Sequence, residues 1–169
     1  YSYDGISWTH YDVAKDFESG TINSAAVDLD NVKWFGTPRN GVLSFDGITW
    51  KHYSEADGLV NDSVNTIAVD RNNIKWFGTG WWGDKTGVSA FDGSSWTTYT
   101  ENDGLCSNVI NAIGVDDSNV KWFCSLYSPT VSTFDGSAWS GIASGVDTGY
   151  NSVIIDRDGI KWLGTKNQG

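Results

Sequence analysis

The sequence has no methionine and only two cysteines, two prolines and two histidines. Lacking even an initiator Met, the chain is expected to be processed or to be a piece of something longer. So few Cys and His leave no zinc-type ligand spacing, and nothing resembles a phosphate loop or a nucleophile elbow. Basic residues are scarce too: 11 Lys+Arg stand against 21 Asp+Glu, a formal net charge of −10. Phosphate binding needs clustered Lys and Arg, so nucleic acid is excluded as a partner, and an anionic membrane surface with it. No apolar run reaches 18 residues, so no membrane insertion is expected, and no signal peptide is visible. What is abundant is Gly (20) and Trp (10) on a background only 19% charged. That is the composition of a turn-rich, aromatic-cored β protein and not of a disordered chain.

Four copies of one unit run through the chain. Asp-Gly-x-x-Trp occurs as Asp4 to Trp8, Asp46 to Trp50, Asp92 to Trp96 and Asp135 to Trp139. Lys-Trp-Phe, or Lys-Trp-Leu in the last copy, begins at Lys33, Lys75, Lys121 and Lys161. Asn is followed five residues later by Asp at Asn23/Asp28, Asn65/Asp70, Asn111/Asp116 and Asn151/Asp156. The Trp of the second signature recurs after 42, 46 and 40 residues.

Each unit reads as four short strands. The first is small and apolar (Ser24 to Val27 and its equivalents) and ends in an Asp-rich turn of the kind that side-chain carboxylates stabilise. The second carries large residues on both faces, as in Trp34-Phe35, so it is buried on both. The third ends in Phe-Asp-Gly or Tyr-Asp-Gly, a hairpin turn, and the fourth carries the second Trp and often a Tyr. No segment holds a 3.6-residue period, so no helix is expected. Four-stranded units of about 40–45 residues, apolar on both faces, stack radially as propeller blades. The expected fold is therefore an all-β propeller, one domain over 1–169 with four repeats.

The run Asn-x₄-Asp-x₄-Lys-Trp-Phe-Gly-Thr, then Gly-Val-x-x-Phe-Asp-Gly-x-x-Trp-x-x-Tyr, then Asp-Gly-Leu, resembles the two-component regulator propeller repeat. It is clearest from Asn65 to Thr79 and from Gly87 to Leu105, and it extends over nearly the whole chain. The resemblance implies a ligand-sensing, non-catalytic propeller outside the cytoplasm, periplasmic or secreted, with no cofactor. No kinase or immunoglobulin-like segment accompanies the four repeats, a departure from that family's sensor kinases.

The repeat is cut inside a blade. Residues 1–4 read as the end of a third strand, and Lys161 to Gly169 as a second strand with the loop after it. Joined end to end, the termini match one internal copy, one residue short, with a seam step of 41 residues. The split blade could close within one chain, between two chains as a two-fold ring of eight blades, or through more chain. The expectation is a second copy, a protein partner, or further chain completing the ring.

Antiparallel strands put two kinds of loop on one face of the disc, those from strand four to strand one and those from strand two to strand three. The opposite face carries turns nearly identical in every copy, and loops that differ are where a scaffold places function. Repeat two has a four-residue insertion there, with the only two Trp outside the repeat pattern, Trp81 and Trp82. Tyr127 adds an aromatic in the matching loop of repeat three. Flat rings beside Asp and Lys suit a sugar, and equally a protein hot spot. Asn23, Asn65, Asn111 and Asn151 stand at the mouths of the innermost strands. They either tie down the incoming loops or form a polar ring for a ligand. The candidate ligand-binding set is thus Trp81, Trp82, Tyr127 and the four Asn, for a glycan or other small polymeric ligand. The alternative is a structural propeller that mediates protein contacts.

Enzymatic readings are weaker. Asp156-Arg157-Asp158-Gly159 opens like a calcium loop but continues with Ile160, Lys161 and Trp162 in place of ligands, so no metal is expected. Ser44 to Trp50 is similar to the Asp-box of sialidases. The three Arg, at 39, 71 and 157, do not form the required cluster. Glu18, Glu55, Glu101, Asp57 and Asp103 share the variable face, although Asp57 and Asp103 belong to repeat-type turns. His10 and His52 occupy one slot on strand four and read as packed or solvent-facing. Cys106 and Cys124, each singular to repeat three and both on the variable face, read either as a disulfide, with an oxidising compartment, or as two small buried thiols.

Overall fold

A computed structural model describes residues 1–11, 21–80, 86–143, 145 and 147–165. Every β-sheet is antiparallel. An amino-terminal half-blade pairs β1 (Ser2–Tyr3) with β2 (Trp8–Thr9). Blade A follows as β3 (Ser24–Val27), β4 (Lys33–Gly36), β5 (Val42–Phe45) and β6 (Trp50–Tyr53). Blade B is β7 (Val64–Val69), β8 (Lys75–Thr79), β9 (Val88–Phe91) and β10 (Trp96–Tyr99). Blade C is β11 (Ala112–Val115), β12 (Lys121–Cys124), β13 (Thr130–Phe134) and β14 (Trp139–Ala143). A carboxy-terminal half-blade, D, pairs β15 (Tyr150–Ile155) with β16 (Lys161–Thr165). The expected propeller blades are therefore present: three complete blades in strand order 1-2-3-4, and a fourth in two separate halves.

Neighbouring blades meet through their innermost strands, β3 against β7, β7 against β11 and β11 against β15. Alternation explains where the core lies. On β4, Trp34 faces the next blade, and on β8, Phe77 faces the previous one. One core therefore lies between A and B, around Trp34, Leu59, Val64, Phe77 and Phe91. A second lies between B and C, around Trp76, Leu105, Ile110, Phe123 and Phe134. A smaller third joins C to D through Ala112, Cys124, Val131 and Tyr150. Ring geometry repeats with the sequence. Trp34 stacks on Tyr53 at 5.6 Å and meets Phe77 edge-on at 5.9 Å, and Trp76 stacks on Tyr99 and meets Phe123 edge-on, both at 5.8 Å. Each such pair adds about 0.5–1.5 kcal/mol beyond the area it buries. A blade alone would expose both faces, so the blades are stable only as neighbours.

The helix-free expectation is modified at two places. Glu55–Asp57 and Glu101–Asp103 each make one turn of 3₁₀ helix after strand four. Ser54 and Thr100 are the N-caps, Asp57 and Asp103 close capping boxes, and Gly58 and Gly104 end the turns in the left-handed region. Single turns of this kind are too short to leave a 3.6-residue pattern.

Candidate functional site

The two faces of the disc are built differently, and the carboxylates show it first. In each Asp-rich turn one carboxylate oxygen accepts two backbone N–H groups. Asp70 Oδ1 takes those of Asn72 (2.9 Å) and Ile74 (3.0 Å). The other oxygen accepts the indole N–H of the same blade: Trp34 to Asp28 at 2.9 Å, Trp76 to Asp70 and Trp122 to Asp116 at 3.1 Å, Trp162 to Asp156 at 2.7 Å. A Lys from the next blade then closes the site. Lys75 lies 3.8 Å from Asp28, Lys121 lies 3.7 Å from Asp70 and Lys161 lies 3.2 Å from Asp116. Each ammonium also sits over the Trp of the previous blade, at 5.5, 5.3 and 4.8 Å from the ring centre. Lys121 is only 2% exposed, so this is a buried ion pair whose remaining valences are satisfied by hydrogen bonds.

Burial alone would push the Asp116 carboxyl up. The N–H of Val120, the indole of Trp122 and Lys161 outweigh it and hold the carboxyl below its ordinary value. Trp162 first, then the Ile160 N–H, does the same for Asp156. In the Asp-Gly turns, Asp4, Asp46, Asp92 and Asp135 each accept two backbone N–H groups, which lower their pKa values. This face is therefore spent on the fold. Among the described residues no three His, Cys, Asp or Glu side chains are grouped to hold a metal ion.

The variable face begins at the Asn positions. Asn23 donates its amide to the Val64 carbonyl of the next blade at 3.1 Å. Asn65 donates to Gly80 in its own blade (2.9 Å) and to Ile110 in the next (3.1 Å). Asn111 accepts the Leu126 N–H at 2.9 Å. Asn65 and Asn111 tie inner strands to the loops after strand two, and Asn23 and Asn65 bridge blades. Asn151 lies exposed on β15. The loops so anchored are the ones that differ between copies. Tyr127 lies one residue beyond Leu126 and is 53% exposed. Gly80, at φ 130°, starts the inserted loop of blade B. Trp81 and Trp82 lie outside the described residues. The structure thus brings Tyr127 and the Asn111 anchor to one loop, while the Asn amides it resolves serve as loop and blade ties.

The carboxylates of this face are engaged as well. Asp57 accepts from Ser54 and Asp103 from Thr100, Glu55 accepts the Asp62 N–H, and Glu101 accepts the Asn108 N–H. Glu18 lies outside the described residues. Of the two histidines, His10 stacks on Tyr1 at 4.5 Å, and the His52 Nε2 lies 2.8 Å from the Asn40 carbonyl.

The disulfide expectation is corrected: Cys106 and Cys124 are free thiols. Cys124 shares a face of β12 with Trp122, packs on Tyr150 of half-blade D, and burial pushes its thiol up to about 12. Cys106 Sγ lies beside Gly141 of β14, on the face that carries Trp139 and meets blade B. Two thiols on opposite faces of one sheet cannot reach bonding geometry.

Known structures share the fold. The extracellular domain of the hybrid two-component system BT3049 of B. thetaiotaomicron is similar with a TM-score of 0.77 at 19% identity, over 94% of this chain and 22% of that one. PorZ, a surface component of the type-IX secretion system of Porphyromonas gingivalis, has a TM-score of 0.65 at 16% identity, over 88% of this chain and 25% of that one. Virginiamycin B lyase from Staphylococcus aureus has a TM-score of 0.67 at 13% identity, over 87% of this chain and 49% of that one. The chain spans less than half the length of each. No family model and no characterised protein sequence matches it. The likeness is one of β-propeller fold, shared by an extracellular domain of a hybrid two-component system and by a lyase. No helix among the described residues is long and apolar enough to cross a membrane.

Proposed function

We propose that this chain is a non-catalytic, extracytoplasmic propeller module that binds a glycan or other small polymeric ligand on the face carrying the strand-two to strand-three loops. The observation that carries this reading is the division of labour between the faces. The Asp-rich face repeats in every blade and is consumed by inter-blade bonds, whereas the opposite face holds copy-specific loops fixed by Asn65 and Asn111, with Tyr127 exposed. A rigid scaffold presenting variable loops is the ordinary layout of a binding site. Fold alone does not separate binding from catalysis, since lyases share it. The engagement of Asp57, Asp103, Glu55 and Glu101 in backbone capping favours binding. An extracellular sensor domain among the similar structures supports the location.

The test is a thermal-shift screen of soluble oligosaccharides, followed by calorimetric titration of any that stabilise the chain. The Trp81→Ala/Trp82→Ala and Tyr127→Ala variants should keep the wild-type melting temperature and lose the ligand shift. A large loss of stability in the unliganded variants, or undiminished binding, would move the site elsewhere.

A further inference from the structure

Blade C departs from blades A and B in its connection to the next inner strand. From the strand-four Tyr to the residue before the inner Asn is a step of 11 in blades A and B, Tyr53 to Val64 and Tyr99 to Ile110. In blade C the step from Ile142 to Tyr150 is 8. What the shorter connection omits is the capped 3₁₀ turn and the buried Leu that follows it. The omission leaves two polar side chains of the variable face without the partners their counterparts have.

Thr148 stands where Asp62 and Asn108 stand in the earlier copies. Those two accept the N–H groups of Glu55 and Glu101, at 2.8 and 2.7 Å, from the turn of their own connection. Blade C has no such turn. The Thr148 Oγ1 is covered and is the one buried side-chain polar atom without a hydrogen-bond partner among the described residues. Its neighbour Asp147 is exposed. Glu55, Asp57, Asp62, Glu101 and Asp103 all accept backbone N–H groups, whereas the Asp147 carboxylate has no hydrogen bond or ion pair.

The loop after β12 forms the other wall. It is held at several points: the Leu126 N–H donates to Asn111, the Tyr127 N–H to Ser125 Oγ at 3.0 Å, and the Thr130 N–H to Ser128 Oγ at 3.1 Å. The Ser125 carbonyl accepts the Tyr150 N–H at 2.7 Å. Gly149 packs so closely that any side chain there would collide with the backbone of Ser125 and Leu126. Tyr127 and Thr148 therefore flank one backbone contact, Leu126 on Gly149, and Tyr127 keeps half its surface open.

We propose that this cleft seats one unit of a neutral saccharide, an inference that rests on the glycan reading above. The Tyr127 ring takes the C–H face of the sugar, as a flat aromatic with a polar tip does. Asp147 accepts sugar hydroxyls in charge-assisted bonds. Thr148 is only partly buried as a residue, so a turn about χ1 exchanges its methyl for its hydroxyl. A sugar hydroxyl then supplies the partner that the fold withholds. Both walls are fixed before the ligand arrives, so little ordering opposes binding. The charge sets the class. Neither 125–129 nor 147–149 carries a Lys or Arg, Asp147 adds a negative charge, and the chain bears −10, so a uronate or sialate is repelled.

Calorimetric titration of the 169-residue chain with neutral hexasaccharides of the cello, xylo, manno and malto series, and with hexagalacturonate, tests this. A neutral sugar should bind and hexagalacturonate should not. Asp147→Asn should weaken binding about 10-fold or more, and Thr148→Val about 3–10-fold. Thr148→Val should also hold or raise the melting temperature of the unliganded chain, because it replaces an unpartnered hydroxyl with a methyl of the same shape. A fall would show the hydroxyl bonded within the fold and overturn its role. Binding that survives both substitutions but is lost in Trp81→Ala/Trp82→Ala would overturn this seat and leave the glycan reading standing. Preference for hexagalacturonate would overturn the neutral class. No binding by any of these sugars would overturn both readings.

Discussion

Replacing Lys121 by Met keeps the aliphatic stem between Trp76 and Phe134 and deletes only the ammonium. That ammonium lies 3.7 Å from the Asp70 carboxylate, bonds the Asn119 carbonyl at 2.9 Å and sits 5.3 Å from the centre of the Trp76 ring. Asp70 and Trp76 are each only 2% exposed, so solvent does little to replace what is lost there. Breaking a buried pair by removing one partner costs about 3–5 kcal/mol. Asp70 keeps the N–H groups of Asn72 and Ile74 and the Trp76 indole, which places the loss at the lower end. About 3 kcal/mol corresponds to a fall in melting temperature of roughly 6–12 °C for a chain of this length. The assay is thermal unfolding of wild type, Lys121→Met, Asp70→Asn and the double variant. The carboxamide has no charge to compensate, so Lys121→Met should cost at least about 1 kcal/mol less in the Asp70→Asn background. Additivity within about 0.5 kcal/mol would show that Lys121 and Asp70 are not coupled, and the junction would then rest on ring packing alone.

Acid should weaken the same junctions. The folded-state pKa of Asp116 is lowered, so its charged form contributes stability that is complete above the ordinary value of 3.8 and is lost as pH falls through the folded value. Melting temperature should decline between about pH 5 and pH 2, with a shallower decline in Asp116→Asn. For the cysteines, a thiol reagent at pH 8 should leave buried Cys124 unmodified in the native protein. It should titrate two thiols in denaturant without reductant, and fewer than two would restore the disulfide.

The blades were legible because their determinants are local. Strand one of blade A begins at Ser24 and ends at Val27 in both the sequence pattern and the structure, and the Asp turns and Phe-Asp-Gly hairpins carry their own side-chain signals. The junctions were not legible. Asp28 announces a turn to its own neighbours, but its bond to Lys75 crosses to the next blade. A signal was present in the fixed Asp-x₅-Trp spacing of all four copies, which is longer than any turn requires. The cysteine expectation failed because proximity in one blade says nothing about which face a residue takes. Cys124 and Cys106 belong to opposite faces of the sheet, one set by β12 and the other by the loop that precedes β11. Three of the Asn side chains bind backbone groups: Asn23 the Val64 carbonyl of the next blade's inner strand, Asn65 the Gly80 carbonyl and Asn111 the Leu126 N–H.

Trp34, Trp76 and Trp162 hold equivalent positions and make the same indole-to-carboxylate bond, yet two are buried and one is open to solvent. The difference lies in what stands beside the blade. Burial in this architecture is a property of the junction, so the repeated residues have no capacity left for ligand once a junction is complete. Whatever distinguishes one copy from another, the loop that begins at Gly80 or the exposed Tyr127, is then the part of the sequence free to carry recognition. The exposed Trp162 belongs to a different category: among the described residues it keeps the indole-to-carboxylate bond of its repeat with no neighbouring blade over it. Exposure alone would group Trp162 with Tyr127, and it is the repeat register that separates them.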